Sequence, residues 1–143
     1  MAAGAAAVDG VDPDGVRPLP LSDGGNGLLD ALRFAGGGEV RRVTVTGPLN
    51  RPVRARFLVQ PRRVVVETAE ACGLHLVPVG LRDPLRTTTW GVGELLRAAT
   101  LALPEDAELV VGLGGSATVD AGAGLAYALG WRLLDEDGEP ILP

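Results

Sequence analysis

The segment Leu109–Gly124 constrains the fold more than any other part of the sequence. It begins with an apolar run, passes through Gly112, Gly114 and Gly115, and then takes on helical spacing. A strand that leads through a glycine turn into a helix is the repeating unit of α/β proteins, whose helices cover a largely parallel sheet. The sequence therefore predicts an α/β fold, with a mostly parallel sheet and flanking helices.

Strand and helix signals alternate along the rest of the chain. Strands are predicted at Val40–Thr46, Val53–Val59, Arg62–Glu67, Glu108–Leu113 and Trp131–Leu134, with a Pro-rich edge segment at Val16–Pro20. Helices are predicted at Leu28–Ala35, Glu67–Leu74, Gly91–Leu103 and Thr118–Leu129, the third with N-cap hydroxyls from Thr87–Thr89. We expect the first two β-rich runs to pair as antiparallel neighbours and Arg62–Glu67 to be buried on both faces.

Charge and composition exclude several classes of function. The 143 residues carry 18 acidic and 13 basic side chains, a net charge of −5, which argues against a surface for nucleic acid. The sequence has no apolar stretch of the roughly 18 residues that a membrane span needs. Cys72 is the single cysteine and has no disulfide partner in the chain, so we expect a cytoplasmic protein.

The two ends of the sequence are not typical of a complete domain. Residues 1–15 read as a loose Ala/Gly tail or the remnant of a truncated first helix, and the chain stops just after a turn at Asp135–Gly138. We therefore expect residues 16–143 to be a partial α/β region. An incomplete sheet would leave unpaired edges, through which such a chain could associate with itself.

The glycine turn Gly112–Ser116 is the strongest candidate for a ligand site. Its backbone N–H groups and the start of a following helix would favour an anion at the carboxyl edge of the sheet, with added hydroxyls from Ser116 and Thr118. Asp120 is expected in the first turn of that helix. The alternative is purely structural, with the glycines serving a tight turn and Thr118 capping the helix.

Two glycines farther along this segment bear on that choice. Gly122 and Gly124 fall inside the predicted helix, where each costs roughly 1 kcal/mol relative to alanine. The close approach of another backbone or of a ligand would explain why glycine stands there.

Three other segments carry groups that could bind ligands. Asp23 precedes Gly24 and Gly25 in a turn that opens a helix, where it could orient Mg²⁺, accept a hydroxyl proton or simply cap the helix. Glu67 and Glu70 are spaced to share a helix face, where they could bind a cation or face solvent.

The segment Arg82–Glu94 combines arginines with hydroxyls. Arg82 and Arg86 could hold a carboxylate or a phosphate, or the segment could be an ordinary capped helix start. His75 is read as a surface or half-buried residue rather than as a base.

Four blocks, taken in this order, resemble the bacterial glycerate kinase family, ATP-dependent enzymes that phosphorylate D-glycerate. The blocks are Leu21–Gly27, Glu67–Leu74, Arg82–Glu94 and Gly112–Gly124. The resemblance implies part of a larger two-domain α/β enzyme with its site in the cleft between domains. It implies ATP and Mg²⁺ as cofactors, and 2- or 3-phosphoglycerate as the product.

The resemblance also implies roles for individual residues. Asp23 and Asp120 would coordinate Mg²⁺ or accept the substrate hydroxyl proton, and Arg82 and Arg86 would clamp an anion. Phosphate or the glycerate carboxylate would be held by Gly24, Gly25, Gly112, Gly114, Gly115, Ser116 and Thr118. The chain departs from the family pattern at Asn26, Leu28, Val119 and Ala121, which stand where the family usually has Glu, Thr, Asn and Gly.

Two alternatives remain open from the residues alone. Gly112–Ala117 fits the dinucleotide-binding pattern G-x-G-x-x-A, with Asp135 about 20 residues farther on at the end of a predicted strand. The chain could also be a non-catalytic remnant, or a half that needs a partner chain. The absence of lysine bears on the kinase hypothesis, because phosphoryl transfer often employs one.

Overall fold

The computed structural model describes residues 19–141. The predicted tail at 1–15 and residues 16–18 of the predicted edge segment lie outside the described residues. The helices are α1 (Leu28–Gly36), α2 (Ala69–Cys72), α3 (Trp90–Leu101) and α4 (Ala123–Ala128), and the strands are β1 (Glu39–Thr46), β2 (Pro52–Gln60), β3 (Arg63–Glu67) and β4 (Glu108–Gly112). Short 3₁₀ turns at Leu74–Leu76, Val79–Leu81 and Pro84–Arg86 link α2 to α3.

The described strands form a mixed sheet in the order β1-β2-β3-β4. The pairs β1–β2 and β2–β3 are antiparallel, as short hairpin connections require, and only β3–β4 is parallel. The α/β class with flanking helices is confirmed, as is the antiparallel pairing of the first two strands. The expectation of a mostly parallel sheet is corrected for this part of the chain, because two of its three connections are too short for a crossover.

Helices cover both faces of the sheet. Alternate residues of β3 point to opposite sides, so Val64 and Val66 pack with α3 while Val65 packs with Leu29 of α1. The predicted burial of this strand on both faces is confirmed. In contrast, β4 has a neighbour on one side only within residues 19–141 and is half-exposed, whereas its apolar run Leu109–Val111 is typical of a buried strand.

The carboxyl-terminal part differs most from the prediction. The helix predicted at Thr118–Leu129 spans only Ala123–Ala128, because residues 116–122 form an irregular loop. The strand predicted at Trp131–Leu134 is absent from the described residues, where this segment makes a single bridge between Leu134 and Pro140. Within residues 19–141, every helix is too short or too polar to cross a lipid bilayer.

Helix α3 lies close to β1 because its first turn carries a glycine. A Cβ on Gly91 would collide with the carbonyl oxygen of Thr46, whereas a Cβ on Gly80 would meet nothing within 4 Å. Because glycine has no Cβ, Gly91 allows α3 to pack this close to β1.

We expect Gly91→Ala to lower the free energy of unfolding by about 2 kcal/mol, because the steric clash exceeds the roughly 1 kcal/mol that alanine gains in a helix. Urea denaturation measures the change. Gly80→Ala, the matched control, should stay within about 1 kcal/mol of the unsubstituted protein. A Gly91→Ala protein as stable as the parent would contradict the proposed packing.

Candidate functional site

Two glycine turns, far apart in sequence, lie against each other beyond the carboxyl end of β4. A Cβ on Gly114 would lie 2.7 Å from the Cα of Gly25 and 3.1 Å from its nitrogen. A Cβ on Gly112 would lie 2.6 Å from the carbonyl oxygen of Gly24 and would also collide with Leu28. Main chain therefore packs directly on main chain, which only glycine allows at this separation.

A buried carboxylate fixes the first turn to the sheet. Glu67, at the end of β3 and only 2% exposed, accepts hydrogen bonds from the backbone N–H groups of Gly27 (3.1 Å) and Leu29 (3.3 Å). Burial raises the pKa of this carboxyl, and the two N–H donors oppose the rise. Glu67 thus satisfies donors at the start of α1 that have no partner within the helix.

The second turn presents three successive donors. Within residues 19–141, the N–H groups of Gly114, Gly115 and Ser116 donate to no other protein group. The neighbouring carbonyl oxygens, in contrast, already accept hydrogen bonds from the chain. Gly115 and Ser116 are exposed. Successive open N–H groups form a concavity that suits an anion. Helix α4 begins only at Ala123, so the predicted contribution from the start of a helix next to the turn is absent.

Asp23 lies at the rim of this contact. Its Oδ1 accepts the N–H of Gly25 at 3.0 Å, and the side chain is exposed. One residue earlier in the chain, the hydroxyl of Ser22 accepts a hydrogen bond from the N–H of Gly24 at 3.1 Å. Asp23 therefore supports the turn with one oxygen and keeps further acceptor capacity for a ligand.

Asp120 has a different environment from the predicted first helical turn. It precedes α4, and its Oδ2 accepts hydrogen bonds from the N–H and the hydroxyl of Thr89, both at 2.8 Å, and from the N–H of Gly124 at 3.2 Å. Its Oδ1 accepts the N–H of Gly122 at 3.1 Å. Burial acts to raise the pKa of Asp120, but these four donors outweigh it and lower the pKa. Asp120 thus joins the starts of α3 and α4.

The glycines in this segment have two separate explanations. Gly124 stands in α4 because a Cβ there would lie 2.7 Å from the nitrogen of Trp90, which confirms the expected close approach of backbone. Gly122 lies outside the helix, at its N-cap, with a φ of 80° that glycine adopts without strain. Thr118 does not cap the helix: its hydroxyl donates to the carbonyl oxygen of Thr87 at 2.9 Å.

The loop also borders a cavity of about 380 Å³ between α2, α3 and α4. Its hydroxyl-bearing lining residues are Thr68, Thr89, Ser116 and Thr118, and Cys72 adds a thiol. Burial raises the pKa of the Cys72 thiol, although the Ser116 hydroxyl at 3.8 Å opposes the rise. The cavity wall is otherwise mostly apolar.

The predicted acidic pair does not act as a unit. Glu67 caps α1, whereas Glu70 accepts the guanidinium of Arg56 at 2.7 Å and its backbone N–H at 2.9 Å. Arg56 also contacts Asp30 of α1 at 3.3 Å. Neither the cation site nor the solvent-facing pair is present, because each carboxylate is used within the fold.

Arg82 and Arg86 lie apart from the glycine turns. They line a separate cavity of about 430 Å³, together with the turn between β1 and β2. The segment that carries them is bonded to the site loop, since Thr87 donates to the carbonyl oxygen of Ala117 at 2.8 Å. The structure therefore brings the two glycine turns together and leaves the arginines in an adjoining recess.

Sequence reasoning missed one contact at the rim. The Asn26 amide nitrogen lies 3.1 Å from Nδ1 of His75. His75 is exposed, in agreement with the predicted surface position. A Cβ on Gly115 would collide with Asn26, so this pair covers one side of the glycine contact. No spacing rule links residues 26 and 75. Only knowledge that the two glycine turns pack together could have indicated the contact between Asn26 and His75.

The dinucleotide-binding alternative loses its structural context. Asp135 does not end a strand but lies in an exposed turn, where its Oδ1 accepts the N–H groups of Asp137 (3.0 Å) and Glu139 (2.8 Å). The strand–turn–helix–strand unit that this fingerprint requires is absent from the described residues.

Comparisons with known proteins agree on one family. The model of the glycerate kinase family matches residues 1–143. The chain is 52% identical over 129 residues to the glycerate kinase of Bacillus subtilis, covering 89% of this chain and 33% of that protein. It is 43% identical over 125 residues to the glycerate 2-kinase of Escherichia coli, covering 86% of this chain and 32% of that protein.

A solved structure agrees with this result. The crystal structure of a Salmonella typhimurium protein assigned as glycerate kinase 2 matches with a TM-score of 0.74 and 46% identity, over 86% of this chain and 33% of that one. The chain thus spans about a third of the length of the curated relatives that it matches.

Asp120→Asn should lower the free energy of unfolding at neutral pH by about 1–3 kcal/mol. The asparagine side chain would place an amide N–H donor where the backbone N–H groups that donate to Asp120 converge. The lowered pKa means that ionised Asp120 stabilises the fold above the unfolded-state pKa of about 3.9, and that this contribution is lost as the pH falls through the lower folded-state value. The difference between variant and parent should therefore shrink toward pH 3.

Urea denaturation at a series of pH values measures this difference. Asp137→Asn, at an exposed turn position, makes the same chemical change away from the loop and should have little effect at any pH. A difference between Asp120→Asn and the parent that is constant from pH 7 to pH 3 would be inconsistent with the proposed charge effect.

Proposed function

Because the chain belongs to the glycerate kinase family, we propose that it forms part of an enzyme that transfers a phosphoryl group from ATP to a hydroxyl of D-glycerate. The product is 2- or 3-phosphoglycerate, according to which hydroxyl is placed at the reacting phosphorus. The observation that carries the proposal is the row of open N–H groups at Gly114, Gly115 and Ser116, held against the turn of Asp23.

The glycine contact supplies the electrostatic part of the reaction. Phosphoryl transfer depends on positioning and on neutralising charge on the phosphate oxygens. In this proposal, backbone N–H groups at Gly114–Ser116 bind phosphate or carboxylate oxygens with little reorganisation, because close backbone packing at Gly112 and Gly114 holds the two turns together. The hydroxyl of Ser116 adds a donor next to them.

Among residues 19–141, Asp23 is the residue best suited to hold Mg²⁺. No group of three or more potential metal-ligating side chains is found in residues 19–141. A single exposed carboxylate still fits, because Mg²⁺ is usually held by one or two carboxylates together with water and substrate phosphates. When bound, the ion would neutralise phosphate charge. Asp23 could instead accept the proton of the reacting hydroxyl, and these two roles are separable by measurement.

Asp120 and Thr118 have a supporting part in the proposal. The four hydrogen bonds to Asp120 leave its carboxylate little capacity for Mg²⁺ or a substrate proton. We therefore assign it the positioning of the loop 116–122, with Thr118 fastening that loop to Thr87. Arg82 and Arg86, in the adjoining recess, are candidate anion-binding residues in a chain that contains arginine but no lysine. A reducing cytoplasm suits the buried thiol of Cys72.

The activity is tested in a chimera in which this chain replaces the matching third of the Bacillus subtilis relative. We expect ADP formation that depends on both D-glycerate and Mg-ATP. Asp23→Asn should reduce kcat by about 10²-fold or more, the usual contribution of a positioned acid–base group. Asp106→Asn, an exposed position before β4 at the other end of the strand, is the matched control.

The Mg²⁺ dependence separates the two roles of Asp23. Recovery of Asp23→Asn activity at high Mg²⁺ indicates a metal ligand, and a loss independent of Mg²⁺ indicates a proton acceptor. Full activity of Asp23→Asn would remove this residue from the mechanism, and a folded chimera without glycerate-dependent turnover would refute the kinase proposal.

We also propose that the chain associates through the free edge of β4. Val111 and Leu113 are 37% and 74% exposed there, and β4 has no described neighbour beyond it. Unpaired apolar edges favour strand addition.

Sedimentation velocity at rising protein concentration should therefore show dimers or larger species. Val111→Arg should shift the protein toward monomer, since a charge on an edge strand opposes pairing. Leu101→Arg, at a 91% exposed position at the end of α3, should not. A parent protein that stays monomeric throughout would exclude this association.

A further inference from the structure

The cavity that contains Arg82 and Arg86 has a third arginine, Arg51, which comes from a different element. Arg51 belongs to the turn between β1 and β2, next to Asn50. The cavity measures about 430 Å³, within the usual range for small-ligand pockets. Its charged lining residues are Arg51, Arg82, Asp83 and Arg86.

The charges in this cavity are not balanced from within the fold. Among the described residues, the salt bridges are Arg41–Glu39, Arg56–Asp30 and Arg56–Glu70, so none reaches the cavity arginines. Its one carboxylate, Asp83, already accepts the N–H of Leu85 at 3.1 Å. Three guanidinium groups against one carboxylate leave two positive charges unpaired, in a chain whose net charge is −5. The three arginine side chains are exposed, so this local excess of positive charge is accessible to an anion from solvent.

The backbone that carries these arginines is held in place. The N–H of Gly47 donates to the carbonyl oxygen of Arg51 at 2.7 Å, which closes the turn, and Asn50 adopts a φ of 56° that asparagine tolerates better than most residues. The turn is bonded to the segment before α3, since the N–H of Thr88 donates to the carbonyl oxygen of Pro48 at 3.2 Å. Pro48 is fully buried.

The arginine-bearing segment is fixed in the same way. Arg82 donates from Nε to the carbonyl oxygen of Val77 at 3.4 Å, and the N–H of Arg86 donates to the carbonyl oxygen of Asp83 at 3.0 Å. The backbone of the recess is therefore in place before a ligand arrives, which lowers the entropic cost of binding.

We propose that Arg51, Arg82 and Arg86 form a binding site for a phosphate group, separate from the Gly114–Ser116 loop. A phosphate monoester carries close to two negative charges at neutral pH, which matches the charge excess of the cavity, whereas a carboxylate carries one. Arginine also pairs with phosphate through two parallel N–H groups. The concave shape favours a small anion over the flat surface of a protein partner.

This site deepens the proposed function and rests on it for the source of the phosphate. The cavity shares no lining residue with the one beside Ser116 and Thr118. The two are joined through the Pro84–Thr87 segment, since the N–H of Val119 donates to the carbonyl oxygen of Pro84 at 3.3 Å. Either the phosphorylated product or the nucleotide could supply the phosphate.

Nuclear magnetic resonance titration of the ¹⁵N-labelled chain with inorganic phosphate tests the site without turnover. We expect saturable shifts of the Asn50, Arg51 and Arg86 amides, and weaker binding of acetate. Arg51→Gln should weaken phosphate binding at these amides by about tenfold, the equivalent of one charge-assisted hydrogen bond. Arg86→Gln should do the same from the other element.

Arg54→Gln is the matched control, because Arg54 is an exposed residue of β2 that does not line the cavity. It should leave phosphate binding within about twofold of the parent, a change well below the tenfold step of a lost pairing. Equal binding by Arg51→Gln and Arg54→Gln, or shifts confined to the Gly114–Ser116 loop, would overturn the site.

Parallel titrations with 3-phospho-D-glycerate and with ADP identify the source. The compound that binds more tightly than inorganic phosphate, and loses that advantage in Arg51→Gln, is the ligand. Binding of phosphate without kinase activity in the chimera would refute the proposed function and leave the site standing. Kinase activity of the chimera without phosphate binding at these arginines would support the proposed function and refute the phosphate site.

Discussion

The contact of Gly25 with Gly114 is the constraint on which the rest of the candidate site depends. Two turns from distant parts of the chain meet without side chains between them, so their backbone donors and acceptors lie within a few ångströms. A methyl group at Gly114 would separate the turns and move Asp23 away from the Gly114–Ser116 loop, because it would lie 2.7 Å from the Cα of Gly25. Glu67 supports the contact from beneath, since its hydrogen bonds to Gly27 and Leu29 fix α1 to the end of β3.

The carboxylates at the candidate site differ in how many hydrogen bonds they accept from the chain. Glu67, Glu70 and Asp120 each accept hydrogen bonds from two or more groups of the chain. Asp23 accepts one and is exposed. The same side-chain chemistry therefore serves opposite purposes, and the number of donors already in place distinguishes them. This is why Asp23, rather than Asp120, carries the chemical role in the proposed reaction.

Sequence patterns predicted most elements because period-2 and helical spacing are local. The runs that became β1, β2 and α3 show alternation or helical periodicity, and their positions agree within a few residues. Local rules were wrong at Thr118–Gly122, where the hydroxyl of Thr118 and the carboxylate of Asp120 bond to Thr87 and Thr89 instead of continuing a helix. Tertiary hydrogen bonds decided that segment, and no spacing reveals them.

The three successive threonines before α3 also have hydrogen-bond partners that tertiary contacts decide. All three offered N-cap hydroxyls by sequence, yet only Thr88 accepts the N–H of Trp90, at 3.1 Å. Thr87 donates to Ala117 and Thr89 to Asp120, so both fasten the site loop. Identical side chains in a row acquired separate partners because the loop packs across them. The grouping of the two glycine turns was likewise beyond prediction, although each turn was recognised by itself.

The parallel pairing of β3 with β4 has a consequence for the order in which the chain folds. The β2–β3 hairpin joins Gln60 to Arg63, whereas β3–β4 joins Arg63 to Glu108 across all of α2 and α3. Closing the longer loop costs more chain entropy, so the meander β1-β2-β3 is favoured to form first. The Gly25–Gly114 contact requires β4 and is assembled last. During synthesis on the ribosome, the meander can therefore form while the two glycine turns are still apart, and the Gly114–Ser116 loop can pack against the first turn only after residue 116 has emerged.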